Sequence, residues 1–186
     1  MKSNPNNYVA PWMHEATAKL PKAWLSNALH LWRVSELVWQ RICEAREEAR
    51  KAQVGNHVSD DVGLFHTHMF LAGLALENAV KGLLVQQGSL TITRGRLKWG
   101  CSGHDIERLM DKASIPLSLA ERDLVRRLSA CVTWAGRYPV PMKGVDMEVV
   151  IGGDEPDIMK AIPDRCLGRY EISGRHGWRR EDLRKP

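Results

Sequence analysis

Apolar residues recur at three- and four-residue steps along most of the chain as far as Pro139, which is the spacing of an α-helix. This pattern predicts a linker over residues 88–102, a short helix after residue 102, and long helices over residues 22–53, 62–87 and 117–136. Gly88 and Pro139 mark two helix ends, and Ser102 and Asp105 are alternative N-caps for the short helix. We therefore predict an all-α protein, an up-and-down bundle of four to five helices with an irregular C-terminal extension.

The chain is long enough, at 186 residues, for one domain with a hydrophobic core. We predict an irregular N-terminal arm over residues 1–21, which holds three prolines, then the helical bundle over residues 22–141. Residues 142–186 form a C-terminal extension that ends in a basic tail. Within it residues 154–170 could form a short helix, although Pro163 argues for a break.

The composition is that of an ordinary globular protein, with 44% apolar and 26% charged residues. No run approaches the roughly 20 uninterrupted apolar residues of a membrane span, and the N-terminus lacks the apolar region of a secretory signal. The four cysteines are far apart and include no Cys-x-x-Cys pair, which argues against a zinc site or a disulfide framework. We expect a cytoplasmic protein with no membrane partner, no metal and no cofactor.

Metal and phosphate motifs are weak or missing. His66 and His68 lie two residues apart, so they face different sides of a helix and do not suit a shared metal ion. Gly152-Gly153 lacks the Lys and the Ser or Thr of a phosphate-binding loop. The net charge is +5, and the basic C-terminal tail could contact phosphates or simply keep a loose terminus soluble.

The second long helix is apolar on most sides, which predicts a place at the centre of the bundle. Its polar line includes Glu77 and Lys81, four residues apart and able to pair. Buried charges must be paired or solvated through a cleft, and His104, Asp105 and Arg137 stand at helix ends that could supply partners. The helix N-terminus beside His104 favours a neutral imidazole that can act as a base, and Arg137 suits a phosphate.

Tryptophans recur at helical spacing in the first long helix, at Trp24, Trp32 and Trp39. Such a stripe could stack on nucleic-acid bases. Large aromatic residues on one helix face are more often part of the core, and we expect that here.

Three segments together resemble the HEPN superfamily of small α-helical domains. They are Gly103-His104-Asp105 followed by Ile-Glu-Arg-Leu, a helix that ends in Arg137-Tyr138-Pro139, and Ala75-Leu-Glu77-Asn-Ala-Val-Lys81-Gly-Leu-Leu. The resemblance covers roughly residues 62–141. It implies a helical bundle that often dimerises, and many members are metal-independent endoribonucleases of toxin-antitoxin or phage-defence systems.

The chain departs from the HEPN pattern at the nuclease motif, an Arg and a His on one helix with four to six residues between them. The pairs with that spacing, Arg50 with His57 and Arg169 with His176, are interrupted by Gly55 or Gly174. The resemblance implies a homodimer that binds RNA or a nucleotide, with an antitoxin or a nucleotidyltransferase as a further partner. The alternative is a non-catalytic dimerisation or protein-interaction module.

The candidate site combines the helix-end residues with the charged pair. We expect His104 and Arg137 to be catalytic, if the protein is an enzyme. The residues expected to bind substrate, or to hold the bundle together, are Glu77, Lys81, Asp105 and Tyr138.

Overall fold

The computed structural model describes residues 11–51, 59–135 and 166 of the chain. These residues are 76% helical and 5% strand, which confirms the all-α prediction. The α-helices found among them are α1 (Pro11–Ala18), α2 (Pro21–Lys51), α3 (Ser59–Gln86), α4 (Ile106–Lys112) and α5 (Leu119–Ala130). Between α3 and α4 lies an antiparallel hairpin of β1 (Thr91–Thr93) and β2 (Arg96–Lys98), and α5 continues into a π-helical segment, Cys131–Ala135.

Helices α2 and α3 form the main interface and run antiparallel. Asn27 near the start of α2 bonds Asn78 in the second half of α3, and Ser35 further along α2 bonds His68 earlier in α3. The apolar positions of α3 fill the centre of the core, as its sequence predicts; Val80 is fully buried. This arrangement removes most of the α3 surface from water, which is the main stabilising contribution of an apolar helix.

The second half of the bundle packs on α3 from another side. α4 and α5 both contact α3, and Gly73 lets the chain after α5 approach closely. A Cβ built on Gly73 would lie 2.7 Å from Val132 Cγ2 and 3.0 Å from the Leu128 carbonyl oxygen. The absence of a side chain at residue 73 is therefore required by the packing rather than by the backbone conformation.

An ion-pair network joins α4 to α5. Glu107 accepts bonds from Arg126 Nε at 2.8 Å and from Arg122 Nη1 at 2.8 Å. The bond from Arg126, followed by the bond from Arg122, lowers the pKa of the Glu107 carboxyl. The helical spacing of the sequence predicts that Arg122, Arg126 and Arg127 all face outward. That prediction is wrong for Arg127, which is only 5% exposed, with its Nε 3.1 Å from the Asp123 carboxylate.

Helix boundaries follow local capping chemistry. α3 ends before Gly88, which has φ +72°, and the next amide donates to the Leu84 carbonyl, so the predicted stop is confirmed. Of the two candidate caps for α4, Asp105 takes the position and accepts from the Arg108 amide. α5 begins with a capping box between Ser118 and Glu121.

Two elements differ from the prediction. Helix α1 (Pro11–Ala18) lies inside the predicted irregular arm, since a proline in the first turn is compatible with a helix. The predicted linker 88–102 contains the β1–β2 hairpin. Its strands are three residues each, too short for a clear alternating pattern to identify them in the sequence.

Little of the predicted C-terminal extension is described. Cys166 is helical and fully buried in the core, so at least this residue of the segment 142–186 packs with the bundle. The remainder of that segment, including the basic tail, lies outside the described residues.

Helix α3 also contains the one stretch of the described residues, Leu64–Gln86, that is long and apolar enough to cross a membrane. Because 72% of its apolar window is buried inside the protein, as in the core helix of a globular domain, this is weak support for a membrane span.

Candidate functional site

The charged residues of α3 form the predicted pair. Lys81 Nζ donates to Glu77 Oε1 at 2.6 Å, and the two side chains are 9% and 5% exposed. They lie one helical turn apart, so the helix itself sets the geometry of the contact. The pair is thus a buried ion pair, in which each charge relies on the other to offset lost hydration.

Two indole rings complete the surroundings of the ammonium group. Lys81 Nζ lies 5.3 Å from the ring centroid of Trp99 and 6.0 Å from that of Trp24. The rings meet edge to face, with centroids 5.2 Å apart and planes at 88°. Both aromatic faces attract a cation, so they help to hold Lys81 in its buried position. Trp24 and Trp32 pack against the core, in agreement with the core interpretation of the tryptophan stripe.

His104 contacts the second carboxylate oxygen of Glu77. Its Nδ1 lies 3.0 Å from Glu77 Oε2, and its side chain is 49% exposed. Neighbouring Gly103 passes close to the pair, since a Cβ there would lie 3.6 Å from Lys81 Nζ and 3.7 Å from Trp99 Cδ1. When the ring proton is on Nδ1 it is donated to Glu77, and Nε2 is left as an acceptor. A buried carboxylate therefore orients a solvent-accessible imidazole.

The other predicted site residues have different positions. Asp105 caps α4 and also forms an ion pair with Arg108 at 3.2 Å, which gives it a structural role beside His104. Arg137 and Tyr138 lie outside the described residues. Among the six predicted residues, the structure therefore brings Glu77, Lys81 and His104 together.

A second buried polar contact escaped prediction from the sequence. Ser35 Oγ lies 2.9 Å from His68 Nδ1, and the same nitrogen lies 2.9 Å from the Ser35 carbonyl oxygen. Burial lowers the pKa of His68, partly opposed by the bond to Ser35. Trp39 lies against the ring, with centroids 5.1 Å apart. The sequence feature that could have indicated this contact is Ser35, which interrupts the apolar stripe of α2 and therefore needs a polar partner on the facing helix.

An apolar cleft of about 420 Å³ lies beside the candidate site. Trp24 lines the cleft and also contacts Lys81, so the two features share one side chain. The other lining residues come from α1, α2, α3 and β2, and they are Met13, His14, Thr17, Ala18, Ala23, Asn27, Asn78 and Leu97.

No cluster of three or more metal-ligating side chains occurs among the residues that the structure describes. Comparisons of the chain with protein-family models, with curated proteins and with solved structures find no match. The case for a function therefore rests on the chemistry of the Glu77, Lys81 and His104 cluster.

Proposed function

We propose that this protein is an RNA- or nucleotide-binding domain of the HEPN type, and that His104 contacts the ligand. The supporting observation is the half-exposed His104 ring bound to a buried Glu77 whose other oxygen is held by Lys81. Such an arrangement fixes the direction of the ring and leaves its second nitrogen uninvolved in the hydrogen bond to Glu77, as expected of a ligand-binding or proton-transferring histidine.

The same geometry suits metal-independent RNA cleavage. His104 Nε2 would accept the proton of a ribose 2'-hydroxyl, and the resulting oxygen would attack the adjacent phosphorus. The bond from phosphorus to the 5'-oxygen then breaks, and that oxygen takes a proton from water while His104 returns its own proton to the solvent, which leaves a 2',3'-cyclic phosphate and a new 5'-hydroxyl. We assign Arg137 to the developing negative charge on the phosphate, because a guanidinium matches phosphate oxygens in pairs. For such an activity, the HEPN resemblance implies a role in toxin-antitoxin or phage-defence systems.

The test compares His104→Ala with His30→Ala, an exposed histidine on α2. Binding of labelled single-stranded RNA and of a nucleotide is measured by fluorescence anisotropy, and RNA cleavage is followed in the presence of EDTA. We expect His104→Ala to lower cleavage by about 10²- to 10⁴-fold, the usual contribution of a proton-transferring group, and His30→Ala to have no effect. Wild-type protein that neither binds nor cleaves would refute the proposed function.

A competing proposal is a non-catalytic dimerisation module. Val34 and Leu37, three residues apart on α2, are 48% and 65% exposed, and a second copy of the chain could cover them. Sedimentation of the wild type and of Leu37→Glu distinguishes this case. A dimer that becomes a monomer in the variant, combined with unchanged behaviour of His104→Ala, favours the interaction module.

A further inference from the structure

The β1–β2 hairpin has two chemically different faces. The cross-strand pairs are Thr91 with Lys98, Ile92 with Leu97 and Thr93 with Arg96. The central pair is partly buried and packs toward the core through Leu97, whereas the outer pairs are exposed. Residues Thr91, Thr93, Arg94, Arg96 and Lys98 are all exposed and together form what we call the basic hairpin face.

The three cations of this face carry charges that the described part of the protein does not neutralise. No carboxylate among the described residues lies within ion-pair distance of Arg94, Arg96 or Lys98. By contrast, Arg122 and Arg126 on α5 share Glu107. Unneutralised cations beside hydroxyl groups are suited to the phosphates of a nucleic acid, which accept bonds from Arg, Lys and Thr.

Arg94 occupies a backbone position that does not favour arginine. The two turn residues, Arg94 and Gly95, have φ +50° and +71°, as in the tight hairpin turns that prefer Asn-Gly. A side chain with a Cβ is disfavoured in this left-handed region. Local folding preference therefore does not account for an arginine at the hairpin tip, whereas a ligand contact would.

The hairpin is continuous with the candidate site. Trp99 directly follows β2, is 6% exposed, and places its ring beside Lys81. Lys112 donates a hydrogen bond to the Trp99 carbonyl oxygen, which attaches the end of the hairpin to α4. One strand rises about 3.3 Å per residue, so Arg94 lies within about 17 Å of Trp99 along the chain.

We propose that the basic hairpin face binds the phosphodiester backbone of single-stranded RNA and guides the strand to His104. This inference rests on the proposed function and narrows its ligand from an RNA or nucleotide to a polynucleotide. A nucleoside monophosphate could occupy the site at His104, but its single phosphate could not also contact the three cations of the hairpin.

The experiment compares two variants of the full chain with equal charge change. In the hairpin variant Arg94, Arg96 and Lys98 are replaced by Gln. In the control variant the exposed α2 residues Arg33, Arg41 and Arg46 are replaced by Gln. Each variant lowers the formal net charge by three, from +5 to +2. Affinity for a labelled single-stranded RNA of about a dozen nucleotides, a length within the usual site sizes, is measured from about 0.1 to 1 M salt.

We expect the hairpin variant to lose about 100-fold in RNA affinity near 0.1 M salt. Each phosphate contact on a single strand contributes about 0.7 to the slope of log affinity against log salt, so three contacts contribute about 2. The difference from the wild type should vanish toward 1 M salt. The control variant should keep its salt slope, and binding of a mononucleotide should be equal in all three proteins.

A third variant, Arg94→Asn, distinguishes a loss of RNA binding from a loss of folding. It should raise the melting temperature, because Asn tolerates the left-handed conformation, and weaken RNA binding about fivefold by removal of one phosphate contact. Equal losses in the hairpin and control variants would overturn the hairpin proposal and leave the proposed function intact. Absence of both RNA and nucleotide binding in the wild type would overturn both, and equal affinity for single-stranded DNA would overturn the choice of RNA.

Discussion

The buried pair of Glu77 and Lys81 allows a quantitative prediction about stability. At the observed 2.6 Å and an effective dielectric constant of 20, two unit charges attract by about 6 kcal/mol. That attraction offsets a desolvation cost of several kcal/mol for each ion, so the pair as a whole contributes little. Loss of one partner leaves the other charge buried. We expect Glu77→Gln and Lys81→Met each to lower the free energy of unfolding by about 3–5 kcal/mol.

The assay is a double-mutant cycle measured by urea unfolding. The variant with both substitutions removes both charges, so it should be more stable than either single variant, which requires a coupling energy larger than either single loss of about 3–5 kcal/mol. His104 would keep the Gln side chain as a hydrogen-bond partner. Urea slopes that stay constant across the four proteins would show that the unfolding transition is the same in each.

The C-terminal end of helix α1 and the residue that follows it supply a matched control for this cycle. Glu15 and Lys19 have the same order and spacing and a similar distance of 2.7 Å, but their side chains are 50% and 61% exposed. Solvent screening should make the coupling of Glu15→Gln with Lys19→Met close to experimental error. Equal coupling in the two cycles would refute the reasoning, because it would mean that burial does not strengthen the pair of α3.

Three further predictions concern the packing and the pH dependence of stability. Gly73→Ala should destabilise the protein by about 1–3 kcal/mol, measured by urea unfolding, because the new Cβ would press on Val132. Because the pKa of His68 is lowered in the folded protein, stability should fall as the pH drops from 6.5 toward that lowered pKa. His68→Gln should remove this fall in the melting temperature when melting is measured at a series of pH values. The bonds from Arg126 and Arg122 lower the pKa of the Glu107 carboxyl in the folded protein. The stabilising effect of Glu107 should therefore be complete above pH 4.5 and should disappear as the pH falls through this lowered pKa. Glu107→Gln should therefore differ from the wild type in thermal melts at pH 7 but not in strong acid.

Much of the helical architecture could be predicted because it depends on local patterns. The apolar face of α3 and the four-residue spacing of Glu77 and Lys81 lie within one helix, so the sequence alone determines which side chains are neighbours. The caps at Gly88 and Asp105 act within a few residues of the helix ends. His104 could be proposed as a partner of Glu77 because a charge on a central helix requires one.

The remaining features depend on contacts between distant segments. Trp99 approaches Lys81 only after the hairpin has turned, and nothing in the spacing of the residues indicates that contact. The hairpin turn has Arg94-Gly95 in place of the preferred Asn-Gly, so the sequence contains no strong signal for a tight turn at these residues. Ser35 and His68 are 33 positions apart, and their contact follows from the alignment of α2 with α3.

Polar contacts between α2 and α3, among them Asn27 with Asn78 and Ser35 with His68, also restrict how those helices can be aligned. Apolar helices can slide past each other by one turn, about 5.4 Å, and still bury similar surface. Such a shift here would separate Asn27 from Asn78 and would leave Ser35 and His68 without partners in the core. The polar contacts therefore select one register from several of similar hydrophobic burial. That choice determines where Trp24 on α2 meets Lys81 on α3.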